Sequence, residues 1–234
     1  MPGLFVTGTD TDVGKTFVCT RLIKTLISNG LKVAAMKPVA SGADIHDGIL
    51  KNADALALIN AANIATEYNI VNPFLFEPAI APHLAAANAE VKIELKKIKE
   101  CYLKLSALSD VVVVEGAGGW YAPLSMKTTM ATMAQDLALP VVIVVGLRLG
   151  CLNHALLTVQ AVQSSGLPIA GWIANHVEHD FSYAAENIAT LKYFLKDIPF
   201  IGTVPYQTAT EQTSGPIDQL PSNLNKQILI NILK

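Results

Sequence analysis

The sequence predicts a doubly wound α/β fold: one mainly parallel sheet with helices on both faces. Three observations carry this. Short apolar runs of strand length alternate with segments of helical periodicity along the whole chain. Residues 111–114 are four consecutive valines between Asp110 and Glu115, a composition that suits a strand covered on both faces, as in a parallel sheet. The first apolar run leads directly into a glycine-bounded turn that ends in Gly14-Lys15-Thr16, and a helical pattern follows.

Residues 3–8 open the chain as a strand. Residues 14–28 have helical spacing, with Val18, Leu22, Ile23 and Leu26 on one side and Arg21 and Lys24 facing away, and Asn29-Gly30 ends this helix. Residues 31–36 read as the second strand and lead into Lys37-Pro38. Residues 52–62 read as a helix, whereas residues 63–90 carry Pro73, Pro78 and Pro82 and resist assignment. A long, lysine-rich amphipathic helix covers residues 93–108, and the valine strand follows. Then come a helix over 128–139, a strand over 141–145, a helix over 152–165, a strand over 169–174, a helix over 182–195 and a last strand over 200–204. Residues 207–223 are polar and contain proline, so they read as a loop, and a helix from Leu224 closes the chain. No repeat, low-complexity tract or linker divides the sequence, and residues 1–234 read as a single domain.

Composition excludes several classes of function. A formal net charge of -2 gives no electrostatic reason to expect nucleic acid or an anionic membrane as a partner. The longest apolar run, residues 137–147 with Pro140 inside it, is too short to span a bilayer. The N-terminus lacks the basic-then-apolar order of a secretory signal. Cys19, Cys101 and Cys151 are an odd set without a C-x-x-C pair, which argues against a disulfide framework or a structural zinc site. A reducing cytoplasm is the expected setting. Hydrophobic residues make up 51% and charged residues 15%, which predicts a large interior or a surface buried against a partner.

In doubly wound folds ligands bind at the carboxyl ends of the strands. The first such end carries Gly8-Thr-Asp-Thr-Asp-Val-Gly14-Lys15-Thr16. Glycines let the backbone approach phosphates, and amide N–H groups point inward at a helix N-terminus. Lys15 supplies a mobile positive charge for the β- and γ-phosphates, and Thr16 a hydroxyl for Mg²⁺. Five residues separate Gly8 from the Gly14-Lys15 pair, one more than is usual. A chance Lys-Thr after a glycine turn is the bland alternative, and the order strand, Gly-Lys-Thr, helix argues against it. The fold is therefore expected to be P-loop NTPase-like, with ATP as the nucleotide.

Mg²⁺ on a nucleotide takes one or two protein carboxylates. Glu115 ends the valine strand, so its side chain is expected at the ligand edge, and Gly116-Ala117-Gly118-Gly119 leaves backbone room beside phosphates. Asp54 lies near a helix start, where the helix dipole alone favours Asp. Asp10 and Asp12 are further possibilities, and Asp110 sits at the wrong end of its strand. Lys37 ends the second strand, and a parallel strand beside the first would bring it near the γ-phosphate, although most lysines are merely solvated. Ser41 can donate to a substrate or belong to a turn with Gly42. Asn175 ends the run 171–175; its amide can pair with adenine through one donor and one acceptor, and Asn is equally a common turn former. His176 and His179 lack a third ligand and read as solvated loop residues, and His83 and His154 carry no role.

Taken in order, these motifs resemble those of the dethiobiotin synthetase family. The resemblance rests on the phosphate loop with its five intervening residues, Lys37-Pro-Val-Ala-Ser-Gly42, Asn52-Ala-Asp54-Ala-Leu and Val114-Glu-Gly-Ala-Gly-Gly-Trp120. Gly146-Leu-Arg-Leu-Gly-Cys-Leu-Asn-His154 and Gly171-Trp-Ile-Ala-Asn175 extend it, so that it covers about residues 4–206. It implies an ATP- and Mg²⁺-dependent cyclo-ligase of biotin biosynthesis that joins CO₂ to 7,8-diaminononanoate and yields dethiobiotin, ADP and phosphate. One amine takes up CO₂ as a carbamate, the carbamate oxygen attacks the γ-phosphoryl group, and the second amine closes the ring on the resulting carbamic–phosphoric anhydride.

The same resemblance implies roles for residues. Lys15 and Lys37 are catalytic and hold the carbamate and the phosphoryl group between two cations. Thr16, Asp54 and Glu115 hold Mg²⁺, while Thr11 and Ser41 contact the substrate head. Asp12, Val13, Gly14 and Phe17 surround the phosphates together with Gly116, Ala117 and Gly118. Asn175 and His176 belong to the nucleoside pocket, lined by Val204, Pro205, Tyr206 and Glu211. The family acts as a homodimer, and the turn formed by Gly150, Cys151, Leu152 and Asn153 binds the substrate carboxylate across the subunit interface, an anion at a helix N-terminus. Asp12 stands where Glu is more usual, and His176 where an acidic residue is often found.

Two other readings compete. A dimeric P-loop ATPase switch of the partition or metal-insertion type usually carries a second lysine inside the loop, and residues 9–13 contain none. An amidotransferase-type ligase for a large corrinoid acid would need a glutaminase domain with a nucleophilic cysteine, for which the chain has no room.

Overall fold

The computed structural model describes residues 3–46 and 48–206. Glu211, the predicted loop over 207–223 and the predicted last helix lie outside the described residues. Strand β1 (Gly3–Gly8) runs into the loop that opens helix α1 (Lys15–Ser28). Strand β2 (Val33–Met36) follows, then three short strands that no sequence pattern announces: β3 (Val39–Ser41) and the antiparallel pair β4 (Asp44–His46) and β5 (Ile49–Lys51). Helix α2 (Ala53–Ala61) starts at Asn52, whose side chain caps it by accepting from the Ala55 amide at 3.2 Å. The proline-broken stretch holds α3 (Tyr68–Val71), β6 (Phe74–Phe76), which pairs with β3, and α4 (Pro82–Asn88). Pro82 sits at the start of α4, where a missing N–H costs nothing. The remainder alternates regularly: α5 (Leu95–Leu108), β7 (Val111–Gly119), α6 (Met130–Leu137), β8 (Val141–Leu147), α7 (Cys151–Ser164), β9 (Ile169–His176), α8 (Ala184–Phe194) and β10 (Phe200–Val204).

Six strands form the central sheet in the order β10-β9-β8-β1-β7-β2, all parallel. The expected position of the second strand needs correction: β2 does not lie beside β1 but pairs with β7, which separates the two. Successive strand residues point to opposite faces, and the core divides accordingly. Leu4, Val6, Val111 and Val113 pack with Val18, Leu22 and Leu58 of α1 and α2. Phe5, Val112 and Val114 pack on the other face with Ile98, Met133 and Ala155 of α5, α6 and α7. Helices thus cover both faces, as the valine run predicts.

Arg21 corrects a second expectation. It does not face away from the protein: only 7% of it is exposed, its guanidinium lies 3.3 Å from the centroid of the Phe17 ring, and burial lowers its pKa to about 10. No helix among the described residues is long and apolar enough to cross a membrane.

Candidate active site

The loop after β1 is held from three sides. Gly14 has φ +78°, a left-handed conformation that favours glycine. A Cβ at Gly14 would lie 2.2 Å from Asn175 Nδ2. That amide donates to the Val13 carbonyl at 2.9 Å, tying the loop to the end of β9. Asp12 is also left-handed, with φ 56°, which Asp tolerates better than most side chains. The Asp10 carboxylate accepts from the Thr11 amide at 2.8 Å and pairs with Arg148 Nη2 at 2.6 Å, tying the loop to the end of β8. Lys15 Nζ donates to the Asp10 carbonyl at 2.9 Å. Because α1 begins at Lys15, its first-turn amides lack intrahelical partners and are available to an anion.

The charged centre follows from strand register. Met36 is level with Val114, and Val6 with Glu115. One step beyond Met36, Lys37 therefore comes level with Glu115 although a strand separates β2 from β1. Met36 and Val114 face the α5 side, so alternation turns Lys37 and Glu115 toward the side that carries α1. Lys37 Nζ donates to Glu115 Oε1 at 2.5 Å and to Asp54 Oδ2 at 3.1 Å. Thr16 Oγ1 donates to Glu115 Oε1 at 2.8 Å. Glu115 is 1% exposed and does not end its strand, since β7 continues to Gly119. Burial alone would lower the Lys37 ammonium, but Glu115 and Asp54 outweigh it and hold the group above its ordinary value. Burial alone would raise Asp54, but the charge and hydrogen bond of Lys37 outweigh it and hold the carboxyl below its ordinary value. Lys15 is lowered, by burial first and by the neighbouring Lys37 charge second.

A buried polar network supports these groups from behind. Asn72 Nδ2 donates to the Lys37 carbonyl at 2.7 Å, and the Tyr68 hydroxyl donates to Asn72 Oδ1 at 3.0 Å while accepting from the Asn52 amide at 2.8 Å. Asn52 Nδ2 donates to the Gly42 carbonyl at 2.9 Å. The end of β2, the turn after β3 and the start of α2 are locked together, which sets Lys37, Ser41 and Asp54 relative to one another.

A cavity of about 920 Å³ opens over this centre. Of the sequence-predicted residues it is lined by Thr11, Asp12, Gly14, Lys15, Thr16, Phe17, Lys37, Ser41, Asp54, Glu115, Ala117, Gly118, Asn175, His176, Pro205 and Tyr206. His176, read as solvated from its local sequence but placed in the nucleoside pocket by the resemblance, is half-buried in this wall, and burial lowers its imidazole pKa. Val13, Gly116 and Val204 stand behind the wall rather than in it. Gly150, Cys151, Leu152 and Asn153, which open α7, do not line the cavity of their own chain. Sequence reasoning missed the wall formed by Ala79, Ile80, Ala81 and Pro82, which comes from the unassigned stretch, and the Arg148–Asp10 pair that steadies the loop.

The donor set fits Mg²⁺. Glu115 Oε2 is buried without a hydrogen-bond partner, and Thr16, Asp54 and Glu115 all line the cavity. Among the described residues no group of three or more His, Cys, Asp or Glu side chains converges. The oxygen set is thus two carboxylates and a hydroxyl, which suits an ion that takes its other ligands from water and phosphate. Asn175 Oδ1 is likewise buried and unpartnered, which leaves an acceptor for a base bearing an amino group.

The chain resembles known proteins in sequence and in fold. A family model described as an AAA domain matches residues 2–214. The curated ATP-dependent dethiobiotin synthetase BioD of Pseudomonas paraeruginosa is 48% identical over 206 residues, which is 88% of this chain and 90% of that protein. The same figures hold for the protein of that name from Pseudomonas aeruginosa strain UCBPP-PA14. Among solved structures, a chain of the MinC:MinD cell division protein complex of Aquifex aeolicus superposes with a TM-score of 0.60 at 13% identity, covering 100% of this chain and 94% of that one. Apo McdA of Cyanthece gives 0.58 at 16% identity, with 92% and 91% covered. At such identities these structures establish the shared fold alone.

Proposed function

Because the chain belongs to the dethiobiotin synthetase family, we propose that it catalyses the ATP-dependent ring closure of 7,8-diaminononanoate with CO₂ to dethiobiotin, a step of biotin biosynthesis. One structural observation favours this over a nucleotide switch: a second buried lysine, Lys37, 4% exposed, lines the same cavity as Lys15, 7% exposed. A nucleotide site already has its phosphate cation in Lys15. A second one is useful where another anion must be held against the γ-phosphoryl group, and a carbamate is such an anion.

The chain's residues divide the work as follows. The loop from Gly8 to Thr16 and the first turn of α1 hold the phosphates. Thr16, Asp54 and Glu115 would hold Mg²⁺, which when bound would neutralise charge on the phosphate oxygens. Lys15 and Lys37 flank the oxygens between which the phosphoryl group moves, so positioning and charge neutralisation dominate, as in phosphoryl transfer generally. Thr11 and Ser41 orient the amine end of the substrate. Asn175 Oδ1 accepts from the 6-amino group of adenine, and His176, Pro205 and Tyr206 enclose the nucleoside. The chain works as one ligase domain over residues 1–234, in the cytoplasm, as a homodimer. The turn of Gly150, Cys151, Leu152 and Asn153 holds the substrate carboxylate for the partner's cavity, a reading supported by its place outside the cavity of its own chain.

The test is the requirement for co-substrates. ADP formation is expected to need both the diamine and CO₂. ATP turnover that is indifferent to both would favour the ATPase switch.

A further inference from the structure

Lys37 occupies a place in the cavity where a divalent cation is expected. Its ammonium lies 2.5 Å from Glu115 Oε1 and 3.1 Å from Asp54 Oδ2, and Thr16 Oγ1 is 2.8 Å from the same glutamate oxygen. These are the three groups that fit Mg²⁺, and Nζ already holds one oxygen of each carboxylate, so a divalent ion that takes those oxygens would have to displace it. The charges of the cluster balance without any ligand: Lys15 and Lys37 stand against Asp54 and Glu115. A divalent ion added while Nζ still bridges both carboxylates would meet a like charge at close range, which disfavours its binding. Lys37 hangs on a flexible four-carbon stem, so it can leave the carboxylates without a change of backbone.

We infer that Lys37 is the resident counter-ion of the metal pocket and that Mg²⁺ enters by exchange with it, so that metal binding is what releases this lysine toward the reacting oxygens. The inference rests on the ligase reading for the nature of those oxygens, while the exchange itself is a property of the chain's own residues. Lys37 thereby acquires a second role, since it keeps Glu115 and Asp54 compensated before the metal arrives. The exchange also couples the two cations, because metal and ammonium compete for the same carboxylates.

Mn²⁺ is the probe, titrated into the full chain without nucleotide, with free Mn²⁺ read by electron paramagnetic resonance. Lys37→Met is expected to bind Mn²⁺ about tenfold to a hundredfold more tightly than the wild type, on the scale by which a single close like charge shifts an ionic equilibrium. The metal-free variant is expected to melt below the wild type, and Mn²⁺ is expected to narrow that gap. Equal or weaker Mn²⁺ binding by a variant with a native circular dichroism spectrum would overturn the inference. Should the variant not fold, wild-type crystals soaked with Mn²⁺ decide the matter through the anomalous signal. A peak at Glu115 and Asp54 with Nζ displaced supports exchange, whereas a peak with Nζ still bridging both carboxylates, or no peak there, overturns it. Failure of the ligase reading is seen separately. A chain that makes no cyclic urea, while Lys37→Met holds Mn²⁺ more tightly, loses that reading and keeps the exchange.

Discussion

Gly14→Ala tests whether the loop before α1 is built as tightly as its geometry implies. Two costs arise from one methyl group. Alanine at φ +78° costs about 1–2 kcal/mol for the left-handed conformation. Its Cβ would also fall 2.2 Å from Asn175 Nδ2, so the amide must move and give up its 2.9 Å bond to the Val13 carbonyl. Leaving those buried groups unpaired adds about 1–3 kcal/mol. Gly166 provides a matched control, because its φ is also +78° and a Cβ there meets nothing within 4 Å. Gly166→Ala should therefore show the backbone cost alone. At about 2–4 °C per kcal/mol for a chain of this size, the control loses about 2–8 °C and Gly14→Ala about 4–20 °C. Scanning calorimetry measures both, and titration calorimetry with ATP is expected to show weaker binding for Gly14→Ala only. Equal melting losses and equal ATP affinities in the two variants would refute the reasoning, since the Asn175 contact would then play no part.

Other outcomes follow from the same geometry. Lys37→Met should keep ATP affinity within a few-fold and lower turnover roughly 10²-fold or more, the scale for losing a preorganised charge in a dry site; a wild-type rate would remove Lys37 from the mechanism. If the turn over 150–153 serves the partner's cavity, mixing Lys37→Met with Asn153→Asp subunits should restore about a quarter of wild-type activity, since half the dimers are mixed and each holds one intact site. No recovery after subunit exchange would contradict a shared site. The Lys37–Asp54 pair also predicts a pH dependence. Burial would raise Asp54 but Lys37 outweighs it, so the folded pKa lies below 3.8 and the contribution is present above pH 3.8 and lost as pH falls through the folded value. Burial would lower Lys37 but the carboxylates outweigh it, so its contribution is present below pH 10.5 and lost as pH rises through the raised folded value. The melting deficit of Lys37→Met should thus be flat from about pH 5 to 9 and shrink only toward the extremes; a deficit that vanishes at neutral pH would contradict the pairing.

The elements that carry the phosphate site were readable because their signals are local. The strand, the Gly-Lys-Thr turn and the amphipathic helix adjoin one another in the chain, and four valines in a row announce a strand with two covered faces. Lys37 and Glu115 were singled out one by one, but their partnership was not, because strand order is not a local property. The expectation that β2 neighbours β1 failed when β7 inserted between them, and the register of β2 on β7 then joined the two side chains in a different way. The stretch over 63–90 was opaque for another reason. Its elements are only three to seven residues long, too short for periodicity, and long-range bonds such as Asn72 to the Lys37 carbonyl hold them in place. Arg148 and Asp10 are 138 residues apart, and no pattern in the sequence joins them. Arg21 was misplaced because a helical wheel assigns charge to solvent, whereas its planar guanidinium is stacked on Phe17 one turn earlier.

Whether this chain closes a cyclic urea on a diamine at the expense of ATP is decided by incubation with ATP, Mg²⁺, 7,8-diaminononanoate and ¹³C-bicarbonate, with the product analysed by mass spectrometry. One ¹³C atom is expected in a cyclic urea for each ADP formed, and none when ATP or the diamine is withheld. ADP accumulating without labelled urea would contradict the ligase reading.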